Sequence, residues 1–111
     1  MNLDSLIEKM NRLEYHQSIL LKMISKSDDH FYKLIVERSL NKQDVENFYK
    51  ECNELMIELE EQQAEGFVYF ESLLKKFKES LHPNLDAEEV ILACLRQKLF
   101  LPLMIEFKKY I

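Results

Sequence analysis

Near the N-terminus, apolar residues recur in alternating steps of three and four. Leu3, Leu6, Met10, Leu13, Leu20 and Ile24 keep this rhythm, and Gln17 fills the one position where it lapses. The pattern is a heptad seam with Leu6, Leu13 and Leu20 at d and Gln17 at a. It predicts a helix over residues 4–25, and 22 helical residues would span about 33 Å. Ile7 and Leu21 fall at e and widen the stripe. A two-stranded coiled coil favours a narrow stripe with charged flanks, whereas a wide a/d/e stripe suits a helix touching two or more neighbours in a bundle. Those neighbours can belong to the same chain or to other copies. Leu6, Met10, Leu13, Gln17, Leu20 and Ile24 are accordingly the candidate self-association residues, with Gln17 setting the register.

A polar break at residues 25–29 follows. Asp28 or Asp29 can cap a short second helix over residues 30–39. Asn41 caps a third, and Asp44 three residues later completes a capping-box-like start. Val45, Phe48, Tyr49, Cys52, Leu55, Met56 and Leu59 share one face of that helix, and Glu46, Lys50, Glu54, Glu58 and Glu61 fall largely on the other. Ile57 lies about 140° around the helix from Cys52. Gly66 marks either a left-handed helix end or a kink. The next segment, over residues 67–81, aligns Phe70, Leu74, Phe77 and Leu81. Pro83 ends it, because proline disfavours helical geometry in the residue before it. Asp86 with Glu89 reads as a capping box opening a helix with Val90, Ile91, Cys94 and Leu95 inward. Pro102 marks the first turn of a last helix carrying Leu103, Met104, Phe107 and Tyr110.

The prediction is an all-α domain over residues 1–111, a compact bundle of five to six helices with a long first helix. Composition agrees. With one glycine and two prolines in 111 residues, the chain lacks the turn residues that a sandwich or barrel of short strands requires. A net charge of −5 argues against a general nucleic-acid binder, which needs a basic surface to neutralise phosphates. The start of the chain lacks the pattern of a signal peptide, and no run approaches the ~18 apolar residues of a membrane span. Cys52 and Cys94 stand singly rather than in CxxC pairs. A cytoplasmic protein with two reduced thiols is the expectation.

Residues that could carry chemistry are few. Both cysteines fall on apolar faces, where buried thiols are inert, and no cysteine-hydrolase signature surrounds them. Glu79 and His82 form one Glu-x-x-His pair, but a dinuclear bundle site needs two. A single glycine removes phosphate-cradling loops. We therefore expect no enzyme, metal or cofactor. Residues 31–54 could form a helix-turn-helix that presents Lys42, Gln43, Asn47 and Lys50 to bases. Asp44, Glu46, Glu51 and Glu54 on the same surface would repel phosphates. Lys75, Lys76 and Lys78 are offset by Glu71 and Glu79, which leaves little attraction to anionic lipid. The acidic run Glu54, Glu58, Glu60, Glu61 and Glu65 reads as a solvated face that could also dock a basic partner.

Several short stretches recur in order in a known family: Arg12-Leu13-Glu14-Tyr15, Phe31-Tyr32, the turn at Leu40, Cys52-Asn53-Glu54-Leu55, Leu85-Asp86 and Leu103-Met104. The most distinctive is Gln63-Ala64-Glu65-Gly66-Phe67-Val68, a lone glycine in an unusual setting. In these features the chain resembles the small YhaI-like proteins of bacilli over essentially its whole length, with Pro102 as a departure at the start of the last helix. The resemblance implies an all-helical fold, no assigned activity, and subunits intertwined in a homo-oligomer, a trimer first. The expected role is that of a non-enzymatic interaction or regulatory adaptor, with a DNA-binding regulator using residues 31–54 as the alternative.

Overall fold

Six helices follow one another in the computed structural model, which describes residues 2–25 and 27–111. They are α1 (Leu3–Ile24), α2 (His30–Glu37), α3 (Lys42–Ala64), α4 (Glu71–Ser80), α5 (Ala87–Gln97) and α6 (Leu101–Lys108). No strand occurs among the described residues. Lys26, inside the polar break expected at 25–29, lies outside them, as does Met1.

The core belongs to α2 through α6. α5 packs against both α2 and α6, and α3 packs against α4 and α6. Phe31 from α2, Phe48, Cys52, Leu55 and Leu59 from α3, and Leu73, Leu74 and Phe77 from α4 meet Val90, Ile91, Ala93 and Cys94 from α5 and Leu103, Met104 and Phe107 from α6. The α3 stripe read from the sequence supplies this core, and Ile57 stays 57% exposed on its far side. Leu73, absent from the stripe expected on α4, is also fully buried. Burial of these aliphatic and aromatic side chains is the main force holding α2–α6 together.

Helix ends follow local chemistry, with some corrections to the sequence reading. The Asn41–Asp44 box is complete. Asp44 N–H donates to Asn41 Oδ1 at 2.8 Å, and Asn41 N–H donates to Asp44 Oδ2 at 2.9 Å. At α5 the box is half made. Glu89 N–H donates to Asp86 Oδ2 at 3.1 Å, while the Glu89 carboxylate instead accepts from Arg38 at 2.7 Å. Neither Asp28 nor Asp29 caps α2: Asp29 precedes the helix but makes no side-chain cap. Gln97, from the end of α5, reaches across so that its Oε1 accepts from the N–H groups of Phe31 and Tyr32 at 2.9 and 3.2 Å. This distant cap leaves no local signature.

Gly66 ends α3 rather than kinking a longer helix. Its φ is +92°, and Phe67 N–H and Gly66 N–H donate to the carbonyls of Gln62 and Gln63 at 2.9 and 3.0 Å, the paired bonds of a Schellman turn. α2 ends in the same way at Ser39, with φ +58°, so that helix stops at Glu37 instead of reaching residue 39. The helix expected over residues 67–81 begins only at Glu71. Residues 67–70 form no regular secondary structure and lie between the Gly66 turn and a hydrogen bond from Phe70 N–H to Tyr110 Oη at 3.0 Å. Pro102 lies in the first turn of α6, as expected.

Candidate self-association surface

Helix α1 stands apart from this core. It is capped by Asn2, whose side-chain oxygen accepts from Ser5 N–H at 2.8 Å, and it packs chiefly on α2. None of its 22 residues is buried. The longest dimension of the molecule is 62 Å, and the radius of gyration is 17.4 Å. A compact chain of this length has a radius near 13 Å, so α1 extends the molecule well beyond the α2–α6 body.

The structure brings the six seam residues onto this one helix. Leu6 is 41% exposed, and Met10, Leu13 and Leu20 are 55–59% exposed. Gln17 is exposed among them, and Ile24 is half-buried at the end near α2. Leu3 and Ile7 extend the exposed stripe. Tyr15, Ile19 and Met23 are also exposed, off the seam. Periodicity reading passes over them because they break the three-four rhythm.

A groove runs between α1 and α2. Met10, Leu13, Gln17 and Leu21 line one wall, Val36 lines the other, and Glu14 and Glu37 stand at its polar edge. Apolar side chains in an open groove on a helix that buries nothing of its own form a surface suited to another helix.

Elsewhere the candidate chemistry is occupied by packing. Cys52 and Cys94 have no exposed surface. Burial pushes both thiols up, Cys94 to about 12, and the nearby Cys94 adds to the rise at Cys52. Such thiols carry no nucleophilic thiolate at neutral pH. His82 lies beyond the end of α4, with Nδ1 accepting from Asn84 N–H at 3.0 Å and Nε2 3.8 Å from Asp44. Among the described residues, no group of three or more His, Cys, Asp or Glu is gathered to hold a metal. On the helix-turn-helix segment, Lys42 pairs with Glu46 at 3.8 Å and Gln43 donates to Asn47 at 2.9 Å. Lys76, from the lysine cluster of α4, reaches Glu58 on α3 at 3.0 Å. Among the described residues, no helix is long and apolar enough to cross a membrane.

A family model described as a protein of unknown function, DUF1878, matches residues 3–111, and the chain belongs to that family.

Proposed function

We propose that this protein is a non-enzymatic helical adaptor that works as a homo-oligomer, intertwined through α1. The observation that carries the reading is the complete lack of buried residues on α1 beside an exposed apolar seam. Leu3, Leu6, Ile7, Met10, Leu13 and Leu20 are each 41–69% exposed along this one helix. A contiguous exposed apolar stripe of this kind marks an interaction surface more often than a bare one. Covering it gains about 25 cal/mol per Å² of apolar area removed from water, less the costs of association. Within the family, we infer a place among the YhaI-like proteins of bacilli from the stretch around Gly66. That placement makes a trimer the first state to look for and the cytoplasm the expected compartment.

Light scattering during size-exclusion chromatography tests the reading over a range of concentrations. The wild type is expected as a stable multimer and Leu13→Glu as a folded monomer of 13.4 kDa. A wild-type monomer at high concentration overturns it, as does an unchanged mass for Leu13→Glu. The alternative, DNA binding through residues 31–54, has less support, since Lys42 is paired with Glu46 and Glu51 and Glu54 lie farther along the same helix. Retention on DNA that weakens steeply with salt would revive it.

A further inference from the structure

We propose that the α1 helices of neighbouring copies lie parallel and in register, with the Lys9–Arg12 flank of one copy against the Glu14–Glu37 edge of the next and Gln17 meeting Gln17. The inference rests on the self-association reading and adds the geometry of its interface.

Charge on the two flanks of the seam is the first argument. Counting 100° per residue, Lys9 and Arg12 lie about 140° and 160° around α1 from Glu14, with Met10, Leu13 and Gln17 on the arc between Lys9 and Glu14. The flank nearest the seam therefore carries Lys9 and Arg12, with Glu8 about 40° beyond Arg12. The other carries Glu14 and faces α2, where Glu37, also paired with Lys33 at 3.6 Å, stands on the same groove. Among the described residues, Lys9, Arg12 and Glu14 form no ion pair within the chain. An antiparallel two-fold pairing sets like flank against like flank, bringing Glu14 and Glu37 of both copies together, where like charges repel. A parallel pairing sets unlike flanks together. Lys9 at g and Glu14 at e are five residues apart, the spacing at which in-register parallel helices pair g of one with e of the next.

Register is the second argument. Gln17 is the only polar side chain in the seam's a and d positions from Leu3 to Ile24. One polar residue at an a position fixes register and orientation because any slip sets its amide against an apolar layer, while alignment lets the amides bond to each other. Parallel helices in register place all copies of Gln17 in one layer. Antiparallel helices place Gln17 against a leucine.

Mild oxidation with copper–phenanthroline, read on non-reducing gels, tests this geometry. Cys52 and Cys94 have no exposed surface, so the wild type is expected to stay uncrosslinked. Gln17→Cys replaces an exposed side chain on a helix outside the core, and most of this variant is expected to shift to a covalent pair at twice the chain mass. Mixed with Leu6→Cys, it is expected to give no Gln17→Cys–Leu6→Cys product, since the two positions lie about 16 Å apart along parallel helices. Lys9→Glu and Glu14→Lys are each expected to weaken association several-fold, and the double variant to restore it. If the wild type is a monomer by light scattering, both the association and its geometry fail. If the wild type is a multimer but Gln17→Cys stays unlinked, or links to Leu6→Cys in the mixture, the parallel register alone is overturned.

Discussion

Gly66 and Lys98, at the ends of α3 and α5, hold the same left-handed conformation at different cost. Gly66, at φ +92°, has nothing within 4 Å of where a Cβ would sit, so its need is conformational rather than steric crowding. Lys98 takes φ +62° at the end of α5, where Leu99 N–H and Lys98 N–H donate back to Cys94 and Leu95, although a side chain disfavours that backbone angle. Gly66→Ala is expected to cost about 1 kcal/mol and Lys98→Gly to gain up to about 1 kcal/mol. Urea denaturation of the two variants beside the wild type checks both signs. The thiols give a second expectation. An unfolded cysteine ionises near its ordinary value of 9.0, whereas folded Cys94 keeps its proton to about 12 and Cys52 is also raised. The unfolded chain then binds fewer protons than the folded one, so stability falls as pH rises above about 9. The slope is at most about 1.4 kcal/mol per pH unit for each thiol. Denaturation midpoints between pH 8 and 10.5 are expected to fall more for the wild type than for the Cys52→Ala/Cys94→Ala variant, whose own baseline is lower because two packed side chains are shortened.

At the scale of the element, α1 and α3 are of similar length, 22 and 23 residues, and differ in what they bury. α3 places Phe48, Cys52, Leu55 and Leu59 in the core. α1 places nothing there, and an isolated helix of this kind draws little stability from propensity alone. Its backbone amides are therefore expected to exchange with deuterium quickly in dilute solution and slowly once copies associate. Amides of α3 and α5 should stay protected at both concentrations, because their local opening exposes the core. Equal protection of α1 at all concentrations below and above the association midpoint would show that its own chain holds it. The other elements were readable for physical reasons. The Asn41–Asp44 box, the Pro102 first turn and the α3 stripe are all local patterns. Residues 67–70 misled because Phe70 fits the helical stripe of α4 while its N–H is taken by Tyr110 Oη from the far end of the chain.

For the whole molecule, a body of five helices with an extending sixth departs from the compact radius of a single chain. The apolar content of the chain, 47%, is ample for one core, and the α2–α6 body uses its share without α1. The stripe on α1 is then surplus to the monomer, which is the physical basis for expecting assembly. The net charge of −5 adds a general repulsion between copies, so association is expected to strengthen with salt as that repulsion is screened, despite the weakening of individual Lys9–Glu14 pairs.

Caps, breakers and periodicity, which act within a few residues of chain, specified the helical class, the helix starts other than that of α4, and most of the core face of α3, α5 and α6. The sequence by itself also marked the α1 seam, and with it Leu6, Met10, Leu13, Gln17, Leu20 and Ile24. It left open whether that seam packs on its own chain, because periodicity shows that a face is apolar and not what covers it. The tertiary structure decided that point for the single chain. It set α1 against α2 alone for the most part, left the seam in solvent, and brought Glu37 beside Glu14 across a groove. Gln97 capping α2 and Tyr110 holding Phe70 belong to the same class. Each joins residues 40 or more positions apart, and contacts over that distance are set by how the helices pack rather than by any pattern along the chain.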